Sequence, residues 1–431
     1  MNLQARKEIS LLLFGDLIFF FISLWLTLWL RYLAWPDTNL VTSHLRDFVW
    51  ILPIWLLVFF ISDLYTRSRA GLRRRLPQTI IRAQVINGLI ATAFFYFIPY
   101  FSLSPKVNLF IYVAVATVSL LVWRLWLWPL VYRGRRERLV FLGEEPEMLE
   151  LMPELEANPH YNLEIKQASG LLEAKKMKPA AIVVNIYHPQ FQALLVDFYR
   201  LLFAGVSFLP LHRLYEETFG RIPVSIINER WFMENISNRR RITYDLLKRL
   251  MDIGVASFLV LVTLPFYPLI WLMIQLDDGG PLFFFDERIG RGGRVIRLAK
   301  FRSMTMHPKL EERVVTRVGK WLRSTRLDEI PQLIGVIRGD QSLVGPRPER
   351  PDYVEIYREQ IPYYDARHLI SPGLSGWAQI YHESHPHFRP KVEDTKDKLA
   401  YDLYYIKNRG IWLDLEIALK TVRALLSRTG I

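Results

Sequence analysis

Residues 253–276 read IGVASFLVLVTLPFYPLIWLMIQL, twenty-four positions without a charge. A helix crossing ~30 Å of hydrocarbon takes ~20 apolar residues, so the stretch is long enough to enter a bilayer. Its flanks are both basic. Arg239, Arg240, Arg241, Lys248 and Arg249 precede it, and Arg288, Arg291, Arg294, Arg297 and Lys300 follow. Basic flanks stay cytoplasmic, so the segment is expected to enter and return on one side. Pro265 and Pro268 lie near its middle, where each removes an amide donor and clashes with the preceding turn. Residues 237–280 are therefore predicted to be a basic linker and a re-entrant membrane helix, bent at Pro265.

Toward the N-terminus, four apolar stretches fill the first 132 residues: Ile9–Leu30, Phe48–Ile61, Thr79–Phe101 and Leu109–Tyr132. They predict an α-helical membrane bundle over 1–137. The second is short for a span. Arg67, Arg69, Arg73, Arg74, Arg75 and Arg82 follow span two, Arg133, Arg135, Arg136 and Arg138 follow span four, and Lys106 alone separates spans three and four. Both ends of the bundle should then face the cytoplasm. Asp16 and Arg124 fall in or near spans, and burial inside the bundle is the expected use. Thirteen Trp, 20 Tyr and 26 Phe suit bilayer interfaces. Cysteine is absent, which excludes disulfides, thiolate zinc sites and a cysteine nucleophile.

The chain carries a net charge of +13, unevenly placed. Its Arg clusters lie beside apolar runs, which points to anionic lipids and phosphate-bearing substrates rather than nucleic acid. Residues 138–236 are instead acidic. They alternate expected strands (Arg138–Leu142, Ala180–Asn185, Val206–Leu209) with expected helices (Glu147–Glu156, Gln190–Phe203). This predicts a small parallel, Rossmann-like α/β domain. A dinucleotide loop needs Gly-x-Gly-x-x-Gly, but Gly143 is followed by Glu144, Glu145, Pro146 and Glu147, whose carboxylates would repel a pyrophosphate. A nucleotide-sugar oxidoreductase is disfavoured on that ground.

Residues 281–431 are dense in short motifs. They include Lys300-Phe301-Arg302-Ser303-Met304, Thr316–Gly319 with Leu322-Arg323, Leu327-Asp328-Glu329-Ile330-Pro331-Gln332-Leu333, Gly345-Pro346-Arg347-Pro348, Pro372–Trp377 and Tyr401–Tyr405. Together they suggest phosphate transfer. Adjacent Asp328 and Glu329 would point about 100° apart on a helix, which rules out a symmetric dyad. One carboxylate could attack phosphorus while the other holds a metal. Arg302, Arg323 and Arg347 supply donor forks for phosphate oxygens. The amphipathic spacing of Trp412–Leu426 predicts a C-terminal helix packed on the core. Arg291-Gly292-Gly293-Arg294 reads as a hairpin turn, and Tyr381–His387 as a surface loop rather than a metal site.

This ordered set closely resembles the bacterial sugar transferases, the monotopic polyprenyl-phosphate phosphoglycosyl transferases that prime exopolysaccharide, capsule and O-antigen synthesis. The resemblance implies an α-rich monotopic catalytic domain over 281–431, on the cytoplasmic face of the bacterial inner membrane. It implies that Asp328 attacks the β-phosphorus of a UDP-sugar, UDP-glucose or UDP-galactose in much of the large subgroup. UMP leaves, and undecaprenyl phosphate then collects the sugar phosphate. Glu329 would bind Mg²⁺. Arg323 and Arg347 would hold phosphates, with Lys300, Arg302 and Asp402 completing the site. The role of the α/β domain is left open by the sequence, between dimerisation (a homodimer) and regulation. Two positions depart from the family's pattern: Asp286 stands where Gln is usual, and Gln341 where Met is usual. The Asp286 change leaves a second reading open, a decayed enzyme acting as a membrane scaffold.

Overall fold

The computed structural model describes residues 3–62, 64–65, 76–97, 106–131, 137–157, 163–192, 194–203, 205–236, 241–307, 312–382 and 391–426. The loop arginines 67, 69 and 73–75, Arg133, Arg135 and Arg136, Arg239 and Arg240, and most of the His-rich stretch lie outside them. The chain divides into two compact units, Met1–Val184 with Leu194–Thr218, and Asn185–Ala193 with Phe219–Ile431.

In the first unit, Ser10–Tyr32, Leu76–Phe97 and Asn108–Val131 are long and apolar enough to cross a membrane. The short second stretch falls mainly on helix Leu52–Ile61, which follows helix Thr38–Phe48 at a bend of 52°. Phe20, Trp55, Phe59 and Tyr112 pack at the bundle core. Asp16 and Arg124 meet there as a buried ion pair. The guanidinium also donates to Leu64 O at 2.7 Å, and Tyr65 donates to Asp16 Oδ2 at 2.7 Å. Pairing is how a membrane-buried charge is tolerated. Arg124 sits in a π-helical turn, Trp123–Leu127.

The α/β layer is a parallel sheet of β1 (Glu137–Leu142), β2 (Leu163–Ala168), β3 (Ala181–Val184) and β4 (Ser207–Pro210), ordered β2-β1-β3-β4. β1 and β3 are buried apolar runs, as central parallel strands require. β2 is an additional edge strand that the sequence reading did not include.

The long apolar helix belongs to the second unit. Ile242–Thr263 and Tyr267–Asp277 are separated by a 3₁₀ turn at Leu264–Phe266, at the expected proline. Together they make a 36-residue membrane-competent segment. If straight it would run ~54 Å, well beyond ~30 Å of hydrocarbon. Both limbs are tied to the same domain. On the first limb, Arg249 donates to Val336 O and Ile337 O at 2.7 and 2.6 Å, and Lys248 pairs with buried Asp414 at 3.0 Å. On the second, Asp277 accepts from Val318 N at 2.8 Å, and Asp278 grips Arg302 through two 2.6 Å bonds. Ile330 packs against the cluster that holds Ala256 of one limb and against the cluster that holds Ile270 and Ile274 of the other.

An antiparallel hairpin follows, β5 (Phe283–Ile289) and β6 (Val295–Phe301). Its Arg291–Gly293 turn places Gly292 and Gly293 at φ 67° and 79°, a region that favours glycine. A two-stranded parallel pair, β7 (Ser342–Val344) with β8 (Gly373–Ser375), lies beyond it. The C-terminal helix Ile411–Leu426 buries Ile417 against Val344, Trp377 and Tyr405.

Candidate active site

Asp328 and Glu329 open a 3₁₀ segment, Leu327–Gln332. Arg326, immediately before it, holds a left-handed φ of 55°, costly for a non-glycine residue and common where a site fixes its backbone. Successive 3₁₀ residues diverge by ~120°. The two carboxylates accordingly face different recesses. Asp328 lines a cavity of about 180 Å³ together with Lys300, Arg302, Arg323, Asp286 and Arg350. Glu329 lines a smaller one with Lys300, Arg347 and Arg288.

Lys300 reaches this point from β6 and donates to Glu329 Oε1 at 3.2 Å. Arg347 donates to the same oxygen at 2.9 Å. Arg326 stands 3.8 Å from the other oxygen, Oε2. Burial opposes the Glu329 charge, but Arg347, Lys300 and Arg326 outweigh it and hold the carboxyl far below the usual range. Asp328, 8% exposed, behaves oppositely. Burial raises its pKa and the Glu329 charge adds to this, against the pull of Lys300, Arg323 and Arg347. One acid is thus locked as an anion in ion pairs, while its neighbour is a more basic carboxylate facing open space.

Backbone contacts place the arginines. Gly373 N donates to Pro346 O at 2.9 Å and Gly345 N to Ser375 O at 2.8 Å. A Cβ on Gly373 would lie 2.1 Å from Gly345 N, so the two strands meet backbone to backbone. Arg323 rides on helix Arg317–Ser324, whose N-cap Thr316 accepts from Gly319 N at 3.0 Å.

Two predicted residues are engaged elsewhere. The Arg302 guanidinium lines the larger cavity, yet its donors go to Asp278 and, at 3.0 Å, to Pro281 O. Asp402 is 1% exposed and pairs with Arg367 at 2.8 Å. Its pKa is pushed up to about 6 by burial, with Glu349 adding to the rise and Arg367 and Lys398 opposing it. Arg367, absent from the sequence reading, donates to Arg347 O at 2.9 Å and to Tyr364 Oη at 2.8 Å. Asp402 therefore reaches the site through Arg367 and the Arg347 backbone.

Among the described residues no cluster of three or more His, Asp or Glu could hold a metal alone. Mg²⁺ suits one or two carboxylates completed by phosphate oxygens. Lys300 and Arg347 bond Glu329 Oε1 and Arg326 stands 3.8 Å from Oε2, so Glu329 is the carboxylate that could share an ion with a diphosphate. The donor set fits Mg²⁺ in that form.

The bacterial sugar transferase family model matches residues 243–428. A UDP-glucose:undecaprenyl-phosphate glucose-1-phosphate transferase of Caulobacter vibrioides is 38% identical over 195 residues, covering 43% of this chain and 72% of that protein. The chain belongs to the bacterial sugar transferase family. A UDP-N-acetylgalactosamine-undecaprenyl-phosphate N-acetylgalactosaminephosphotransferase of Aeromonas hydrophila is 35% identical over 239 residues, covering 54% of this chain and 55% of its own. A UDP-glucose:undecaprenyl-phosphate glucose-1-phosphate transferase of Escherichia coli K12 is 38% identical over 186 residues, covering 41% and 39%. The match thus spans about half of the Aeromonas sugar transferase and less of the Escherichia one. The cavity, the two acids and their cations all fall inside the stretch shared with the family.

Proposed function

We propose that this sugar transferase moves a hexose 1-phosphate from a UDP-sugar to undecaprenyl phosphate, with Asp328 as the nucleophile. A carboxylate oxygen of Asp328 bonds to the β-phosphorus as the bond to the bridging oxygen breaks, and UMP departs with that oxygen. An oxygen of undecaprenyl phosphate then attacks the same phosphorus and frees Asp328, giving undecaprenyl-diphosphate-sugar. The observation that carries this reading is the split between the acids. Asp328 is buried at the wall of the larger cavity and made more basic, while Glu329 is held by Lys300 and Arg347. A nucleophile must be unencumbered and basic; a charge-holding partner need not be.

Arg323 and Lys300 would bind the diphosphate, and Arg347 would hold Glu329 and the phosphate edge together. Glu329 would hold Mg²⁺, which supplies positive charge against the developing phosphate anions. Asp402 and Arg367 would keep Arg347 in place. The lipid substrate requires a membrane-seated site. Attachment of both helix limbs to one domain supports a re-entrant arrangement, with the exposed Phe258, Leu261, Leu272 and Leu276 facing lipid on the cytoplasmic leaflet. The transferred sugar would be a hexose, as in the relatives' names, with polysaccharide priming as the setting.

The scaffold alternative gains no support from the site, whose acids and cations are paired as chemistry requires. Membranes containing the protein, incubated with UDP-sugars, Mg²⁺ and undecaprenyl phosphate, should release UMP. Release of UDP would mean ordinary glycosyl transfer, and release of neither from any donor would favour a scaffold.

A further inference from the structure

The departure at position 286 lies inside the catalytic cavity. Residues 284, 286 and 288 of β5 share one face, because side chains alternate along a strand, and all three line the 180 Å³ cavity that Asp328 also lines. Phe284 pairs across the hairpin with Lys300, the residue bonded to Glu329. Asp286 stands two positions further along, ~7 Å from that register point. Its carboxylate is asymmetrically engaged. Arg288 donates Nε at 2.8 Å and a terminal nitrogen at 2.6 Å, both to Oδ2. Among the described residues Oδ1 accepts no bond, although the side chain is only 18% exposed. Arg350 adds a second positive group on this side of the cavity.

We propose that Asp286 is a specificity-determining residue of the donor site, its Oδ1 accepting a hydrogen bond from a hydroxyl of the transferred hexose. This rests on the phosphosugar-transfer reading. Arg288 orients and neutralises the carboxylate, and so spares it the cost of unpaired burial. The ~7 Å offset from the phosphate-binding lysine matches the reach of one sugar ring attached directly to the attacked phosphorus. A uracil lies beyond a further phosphate and a ribose, too far for the same oxygen. A hydroxyl that meets a charged acceptor in a confined site is discriminated strongly from its absence or epimer.

The test uses the full-length protein in nanodiscs with undecaprenyl phosphate, measuring UMP release from UDP-glucose, UDP-galactose and their N-acetylated counterparts. Asp286→Leu should lower kcat/KM for the preferred donor about 10- to 100-fold. Asp286→Asn, which keeps an acceptor but not the charge, should lose several-fold. Poor donors should change less than about threefold, because they do not make this bond. Inhibition by UDP, which has no hexose, should stay within about twofold of wild type for the same reason. A deoxy donor lacking the recognised hydroxyl should lose the same factor on wild type and nothing further on Asp286→Leu. An equal loss for all donors, weakened UDP inhibition, or unchanged selectivity in both variants would overturn the proposal. If wild type released no UMP from any donor, phosphosugar transfer itself would fail, a result separable from lost selectivity in an active enzyme.

Discussion

Replacing Asp402 tests whether a fully buried carboxylate acts on the site from behind. It is 1% exposed, and its partner Arg367 is 4% exposed on the side chain, so water cannot replace either when the pair is broken. Removing one member of such a pair typically costs about 3–5 kcal/mol, because the other charge stays buried. Glu349 also interacts with Arg367 and would compensate in part. The expected loss for Asp402→Asn is therefore near the low end, about 3 kcal/mol. For a unit of this size that lowers Tm by roughly 6–12 °C, measured by tryptophan fluorescence in detergent micelles. Activity should suffer separately. Arg367 anchors Arg347 O at 2.9 Å, and Arg347 holds Glu329 at 2.9 Å. A shift of ~1 Å at such a site can cost about 100-fold in rate. Asp402→Leu combined with Arg367→Met removes both charges and should recover at least half of the lost Tm, because an apolar pair of similar volume is tolerated. It should not recover UMP release. An Asp402→Asn protein as stable as wild type, or a double variant with full activity, would refute this positioning role.

Other expectations concern the same residues. Loss of ionised Asp328 should give kcat/KM an acidic limb lying above the ordinary aspartate range. Glu329→Gln removes the adjacent negative charge and releases two cations toward Asp328, so this limb should move to lower pH; a pH–rate profile reads the sign. Arg302→Lys cannot keep the two 2.6 Å bonds to Asp278 and should loosen the junction between membrane helix and hairpin, seen as faster proteolysis after residue 278 with little change in Mg²⁺ dependence. Gly373→Ala sets a Cβ against Gly345 N and should misplace Arg347, abolishing UMP release even where some folded protein survives.

Much of the fold could be read locally. The hairpin at Arg291–Gly293, the 3₁₀ turn around Pro265 and the buried strands β1 and β3 each follow from a few adjacent residues. The divergence of Asp328 and Glu329 was legible for the same reason: it depends only on helical geometry. Edge strand β2 was not, because LEIKQA leaves one side of the sheet open and lacks an apolar signature. Arg367 carries no sequence signal, because a lone arginine between motifs gains meaning only when the helix carrying Asp402 folds onto it, thirty-five positions later in the chain. Arg302 looked like a phosphate ligand by composition, and its grip on Asp278 depends on where the membrane helix ends. Asp286 stands out in the sequence as an unusual acid, but its pairing with Arg288 and its open Oδ1 are facts of strand alternation and side-chain rotamer.

The central claim is that Asp328 becomes covalently loaded before the lipid acts. Intact-protein mass spectrometry of the purified enzyme, given its preferred UDP-sugar and Mg²⁺ without undecaprenyl phosphate, tests this most directly. The account predicts an added hexose-phosphate mass, absent in Asp328→Asn and discharged when undecaprenyl phosphate is supplied. Turnover with no such adduct at any time, or the same adduct in Asp328→Asn, would contradict it.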